Sequence, residues 1–592
     1  MPCPRPLAVA VLLAASSLAS PPARADGPGL STVSERSGFT RTGRYDEVGA
    51  LCEAFVKAYP KAVRCLSFGT TPEGQPMRML VASTSGALTA DQARRRGLPV
   101  VLAQGGIHAG EIDGKDAGFL LLRELLEGKA APGALDKLVW VFVPVFNVDG
   151  HERFGAWNRP NQRGPEEMGW RTTAQNLNLN RDYVKADAPE MQAMLRLVGE
   201  WDPLVYVDLH ATNGAQFEHD ISIQVEPIHA GDEALRTVGR DLRDGVIADL
   251  AQGGALPLPF YPSFVKYDDP SSGFEDGVPP PRFSHGYFQL RNRIAMLVET
   301  HSWKTYPVRV GLTRDTLVSV LRRTAEHGAQ WLQAAQAADA RAGELAGREV
   351  PQAWAASARA RTIDFRGYAY TRTPSEVSGA LMTRYDENVP QIWKVPLRDD
   401  LRPSVQVAAP RAGYVVPSAH AAWVGEKLRL HGVQFRRIAA QPDAAVQAFR
   451  ADGADFAARS VEGRQRIDAR GQWRAETRDI AEGSLFVPIA QPRARLAMAL
   501  LEPAAPDSLL AWGGFNNAFE SKEYMEDYVA EQVAREMLAD PAVKAEFERR
   551  LREDKEFAGS AEARLRFFHQ RHPSWDERYR LYPVMRVDVA PR

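Results

Sequence analysis

The chain has 592 residues, of which 44% are hydrophobic, 25% charged and 9% aromatic, with 73 basic against 74 acidic side chains and a net charge of −1. That is the composition of a globular protein with core material for more than one domain. The near-neutral balance removes any chain-wide electrostatic reason to bind nucleic acid or an anionic membrane, so function lies in local motifs.

Residues 1–25 combine a basic start at Arg5, an apolar run from Leu7 to Ala19, and Ala23-Arg24-Ala25, which has the small-x-small form of a cleavage site. The run of 13 residues falls short of the ~20 needed to span a bilayer. A removed signal peptide is expected, and with it an exported protein, periplasmic or extracellular. No later apolar stretch reaches spanning length without charge, so integral membrane association is not expected. Cys3 leaves with the leader. Cys52 and Cys65 remain, and in an oxidising compartment they either close a small disulfide loop or stay as two buried thiols. The absence of any Asn-x-Ser/Thr acceptor leans towards a bacterial exterior over a glycosylating pathway.

From residue 26 to about 345, short apolar runs alternate with amphipathic helical stretches, the pattern of an α/β domain with a mixed, mostly parallel sheet flanked by helices. Leu98–Leu102, Leu138–Val145, Leu204–Val207 and Ile294–Val298 read as strands covered on both faces. Ala117–Leu126, Ala188–Val198 and Thr313–Ala340 read as helices. Residues 346–592 differ in character, and an α+β accessory domain is expected there. Thr362–Thr371 and Gly413–Val416 are strand-like, while Ala419–Leu430, Ser521–Leu538 and Pro541–Lys555 are helical. The aromatic turn Trp512–Asn517 reads as a packed turn or a roof over a site, and His420 and His431 as structural.

Four segments of the first domain carry chemistry. Gln104-Gly105-Gly106-Ile107-His108-Ala109-Gly110-Glu111 follows a strand and leads into a helix. A His-x-x-Glu pair arises by chance about once in a chain of this size, but His108 and Glu111 sit where open α/β sheets collect functional groups, past a strand's carboxyl end. Val205–His210 places His210 at the tip of another apolar strand. Two imidazoles and one carboxylate leave a fourth position for water, which is the arrangement of catalytic zinc, one ion per chain. Ala295–Glu299 puts a carboxylate at a third strand tip, where Glu299 can act as general base beside metal-bound water. The long polar connection from Asn147 to Asp182 holds six Asn together with Arg153, Arg159, Arg163, Arg171 and Arg181, and its guanidinium groups suit an anionic substrate end.

In this order the segments resemble the zinc carboxypeptidase family of the carboxypeptidase A type, over residues 40–335. The resemblance implies His108, Glu111 and His210 as metal ligands and Glu299 as base. It further implies Asn180-Arg181 as the pair that holds the substrate's free α-carboxylate, and Arg171 as the group that polarises the scissile carbonyl. The family's mobile tyrosine has no fixed spacing here; Tyr287 is the first candidate and Tyr267 the second. Asn178 stands where the family often has an Asp that orients a zinc-bound histidine, a task that Asp182 or Asp208 can take over. The expected activity is hydrolysis of C-terminal peptide bonds on peptide or protein substrates. A zinc amidohydrolase acting on N-acyl amino acids or cell-wall peptides, and a non-catalytic binding protein on the same fold, are the alternatives.

Overall fold

The computed structural model describes residues 29–592, so the leader-like segment 1–25 lies outside the described residues. Its centre is an eight-stranded sheet built from β1 (Val63–Thr70), β2 (Pro76–Ala82), β3 (Val100–Gln104), β4 (Val139–Val143), β5 (Val205–Thr212), β6 (Ile221–Glu226), β7 (Pro257–Leu258) and, after a short β8 (Phe274–Glu275) that pairs elsewhere, β9 (Ile294–His301). The spatial order is β1-β2-β4-β3-β5-β9-β6-β7. The middle four, β4-β3-β5-β9, are mutually parallel and buried along their whole length. Their Val, Ile and Leu content follows from that burial, which contributes about 1.5–3 kcal/mol per enclosed side chain.

Helices cover both faces. On one, Phe288 of helix Ser284–Leu290 stacks on Tyr206 with ring centroids 4.1 Å apart. On the other, helix Asp113–Leu126 approaches so closely that a Cβ on Gly114 would come within 2.8 Å of Leu209. The helix expected over 313–340 runs from Tyr306 to Ala342. Cys52 and Cys65 are joined, with Cα atoms 5.5 Å apart, tying helix Tyr45–Ala58 to β1. No helix among the described residues is long and apolar enough to cross a membrane.

Beyond residue 345 the chain forms β10 (Glu349–Ala356), β11 (Arg361–Pro374), β12 (Leu381–Arg398), β13 (Leu401–Ala408), β14 (Gly413–Val416), β15 (Arg436–Arg437), β16 (Gln441–Phe456), β17 (Ile467–Ile480), β18 (Leu485–Pro488) and β19 (Leu581–Val587). β11 and β12 make a long ribbon that pairs with β8, and β15-β18-β14-β19-β16-β17 make a six-stranded antiparallel sheet. The two parts of the chain share one hydrophobic core, in which Tyr414, Val424 and Leu485 are continuous with Val205 and Leu317.

Polar contacts reinforce the junction. Arg464 grips Asp187 with two nitrogens at 2.9 and 2.7 Å, and Lys427 adds a third contact at 3.1 Å. Burial works against a charge on Asp187, but Arg464, Lys427 and Lys185 outweigh it and hold the carboxyl down at about 2. Because that lies below its ordinary value of 3.8, the stabilisation is complete above about pH 4 and is lost as pH falls towards 2. Thermal unfolding followed from about pH 5 to about pH 2 is expected to show a steeper fall in Tm for the wild type than for Asp187→Asn. Parallel curves would show that this carboxylate contributes nothing to acid sensitivity.

Candidate metal centre

The site sits at the carboxyl ends of β3, β5 and β9. After β3 the backbone turns sharply at Gly105-Gly106, with Gly106 at φ +63°, and delivers His108 and Glu111 ahead of their helix. A Cβ on Gly105 would lie 2.7 Å from the carbonyl oxygen of Pro144, so the turn needs glycine there. β5 runs on past the expected end to Thr212, so His210 lies within the ladder, and β9 likewise continues through Glu299 to His301. In that ladder His210 is the register partner of Glu299, and Gln104 that of Asp208.

The Glu111 carboxylate is the hub. His108 Nδ1 is 3.0 Å from Oε1 and His210 Nδ1 is 2.9 Å from Oε2. One donor atom from each of the three residues falls within 4.8 Å of the others, and all three are buried. The far ring nitrogens face acceptors: His108 Nε2 meets Asn178 Oδ1 at 3.1 Å, and His210 Nε2 lies 3.0 Å from Asp208 Oδ1. With the protons held on Nε2, both Nδ1 lone pairs point at the same small volume as the carboxylate. The donor set and its orientation fit a zinc ion, and the three residues form a single zinc-binding triad. Asn178 and Asp208 thus share the orienting task, while Asp182 is bound instead to Lys185 and to the backbone of Asp187 and Ala188.

The electrostatics of the three ligands differ: burial opposes a charge on His210, but Asp208 and Glu111 hold it well above the usual imidazole range, so binding of a metal there must displace a proton. Burial pushes His108 down to about 4, leaving it neutral as a ligand must be. Burial opposes a charge on Glu111, yet His108 and Arg159 hold it well below the usual carboxylate range. Arg159 Nη1 approaches Oε1 at 2.8 Å and Arg171 Nη1 at 3.3 Å. Glu299 is lifted to about 8, first by burial and then by the charges of Glu111 and Asp208, with His210 opposing.

A cleft of about 420 Å³ opens over this centre, and Arg171, Asn180, Arg181 and Glu299 all line it beside His108 and Glu111. Arg181 donates to the carbonyl oxygen of Asn180 at 2.7 Å and lies over the Phe283 ring, but it has no ion-pair partner among the described residues. Asn180 Oδ1 is buried and unpaired.

Tyr287 stands elsewhere. It is fully buried, with its hydroxyl 2.9 Å from His431 Nδ1 and 3.4 Å from Arg291 Nη1, and it forms no part of the cleft wall. Tyr267 is 99% exposed and likewise outside it. The tyrosine that lines the cleft is Tyr261, whose hydroxyl accepts from Thr212 Oγ1 at 2.9 Å. It lies in a proline-flanked loop with no periodicity to mark it. Gln224 and His285, each with a buried unpaired ring or amide nitrogen, were also unmarked and complete the wall. His301 instead stacks on Phe217 at 4.0 Å, and Trp512 and Phe515 are packed in the interior, away from the cleft.

Residues 48–227 match the family model described as zinc carboxypeptidase, a span that includes the triad, Arg171, Asn180 and Arg181 but not Glu299. Among solved structures, a putative carboxypeptidase A from Shewanella denitrificans is 17% identical and covers 48% of this chain and 69% of its own, with a TM-score of 0.36. The carboxypeptidase A of Helicoverpa armigera is 17% identical over 50% of this chain and 75% of its own, with a TM-score of 0.34. A metallo-carboxypeptidase from Burkholderia cenocepacia is 15% identical over 46% and 67%, with a TM-score of 0.33. No curated protein sequence matches the chain.

Purified protein is expected to carry one zinc ion per chain by elemental analysis, and His210→Ala to lose most of it under the same dialysis. Equal zinc content in the two preparations would remove His210 from the triad.

Proposed function

For a chain whose residues 48–227 match the zinc carboxypeptidase family, we propose that the reaction is hydrolysis of the C-terminal peptide bond of a peptide or protein bearing a free α-carboxylate. One observation carries the choice of bond: Arg181, a guanidinium without an ion-pair partner among the described residues, faces the same cleft as His108, Glu111 and Glu299. A half-buried cation of this kind is satisfied by an anionic ligand, and a terminal carboxylate fits its fork.

His108, Glu111 and His210 would hold the zinc, which when bound would supply a Lewis acid that lowers the pKa of water to about 7. Glu299 takes the proton of the attacking water and returns it to the leaving amine. A carboxyl lifted by burial is suited to both halves of that exchange near neutrality. Arg171, whose side chain is 36% exposed at the cleft wall, donates to the carbonyl oxygen as charge develops there. Asn180 and Arg181 hold the α-carboxylate and so decide which bond lies over the centre. Glu299 falls outside the matched residues, and its part rests on its register beside His210 and on its burial in the cleft. The Cys52–Cys65 bridge supports passage through an oxidising compartment, in line with the leader-like start of the chain.

Glu299→Gln is expected to keep its zinc and lose roughly 10²- to 10⁴-fold in kcat; near-normal turnover would refute the assignment. In a peptide series that differs only in a free or amidated terminus, single-residue release should require the free carboxylate. Arg181→Ala should erase most of that preference through KM. Cleavage of amidated and free peptides at equal rates would point instead to a general amidohydrolase.

A further inference from the structure

The segment that carries the proposed carboxylate anchor is held from outside its own part of the chain. β16 and β17 form a ribbon paired from Gln441↔Ile480 to Phe456↔Ile467, and beyond it the chain closes in a turn where Val461 and Arg464 exchange hydrogen bonds at 2.9 and 3.0 Å. The two central residues, Glu462 at φ +52° and Gly463 at φ +72°, are both left-handed. Such a turn favours Asn, Asp or Gly at its first central position. Glu there is a costly choice for the backbone, on the order of 1 kcal/mol.

Glu462 does something with that position. Its Oε2 accepts the backbone N–H of Asn178 at 2.8 Å, across 284 residues of sequence. Asn178 in turn has two partners for its side-chain oxygen: His108 Nε2 at 3.1 Å and the backbone N–H of Asn180 at 3.0 Å. Arg464, from the same turn, makes the two-nitrogen contact with Asp187 that anchors the ribbon tip. One exposed turn of the C-terminal part is therefore connected, through a single asparagine, to a metal ligand on one side and to the Asn180-Arg181 pair on the other.

We propose that Glu462 is a positioning residue of the hydrolytic centre: by fixing the Asn178 peptide it orients His108 for the metal and presents Asn180-Arg181 to the substrate carboxylate. The second half rests on the anchor role given above to Arg181; the first half does not. This assigns the C-terminal part a task in the reaction, since the site is incomplete without its ribbon.

The test compares Glu462→Ala, which removes the acceptor, with Glu462→Gln, which keeps an amide oxygen in the same place. Zinc retention is read by competition with a chromogenic chelator, KM and kcat with free-carboxylate peptides, and Tm by calorimetry on the full chain. Loss of a partner that orients a metal ligand costs about 10- to 100-fold in metal affinity. Glu462→Ala is accordingly expected to release zinc at least about tenfold more readily and to raise KM about tenfold, with Glu462→Gln recovering most of both. Wild-type zinc retention and KM in Glu462→Ala, or a drop confined to Tm, would overturn the proposal. A Gln variant as impaired as the Ala variant would overturn the hydrogen-bond route. If Arg181→Ala leaves the preference for a free carboxylate untouched, the anchor reading fails, and the chelator competition alone then decides the role of Glu462.

Discussion

The parallel hydrogen-bond ladder between β5 and β9 is the constraint on which the centre depends. It fixes His210 opposite Glu299 and, one strand over, Asp208 opposite Gln104. Residues paired in this way point to the same face, so a slip of one position would carry the ligand and the carboxylate to opposite sides of the sheet. The fully buried apolar residues that precede them make such a slip prohibitively expensive, because every Val, Ile and Leu of the run would move with it. Packing in the strands thus does more than stabilise the fold: it sets the spacing of the reactive groups.

Charge is concentrated where water is scarce. Glu111, Asp208 and Glu299 are all buried at one end of the sheet, an arrangement that repels itself unless cations are supplied. Arg159 and Arg171 supply them at Glu111 Oε1, while Oε2 faces His210 and accepts the N–H of Ala211 at 3.3 Å. Asp208 is satisfied by Ser284 Oγ at 2.6 Å and by the Gln104 amide. Glu299 receives no such partner among the described residues, and its carboxyl is the one that is lifted. Two carboxylates of one cleft are therefore driven in opposite directions, Glu111 below and Glu299 above the ordinary carboxylate range.

Much of this was legible in the sequence. The four central strands announced themselves because burial on both faces demands unbroken apolar runs. The apolar runs stop two to five residues short of the ends of β3, β5 and β9, since polar Gln104, His210 and Glu299 interrupt the pattern while the backbone ladder continues beneath them, and the run at β4 overshoots its strand by two. The ribbons β11–β12 and β16–β17 gave a weaker signal: β12 is exposed on both faces over residues 386–392, and β17 keeps its alternation largely with small residues such as Ala469 and Gly471. Tyr287 looks like a site residue because it lies close in sequence to Glu299, whereas its neighbours in space are His431 and Arg291. Tyr261 and Glu462 carry no local mark at all: what places them is the path of loops and a contact 284 residues long, which spacing along a chain does not encode.

The order in which the chain is made gives the segment 178–187 a particular history. Its outside supports are the Lys427 ammonium on the carbonyls of Lys185 and Ala186, His431 Nε2 on that of Val184 at 2.8 Å, and the turn at 461–464. All of them emerge more than 200 residues later. The sheet that carries the turn is closed only by β19, the last strand, which slots between β14 and β16. Segment 178–187 is therefore held in place by elements that follow it by more than 200 residues, and those elements in turn lean on a sheet that β19 joins together.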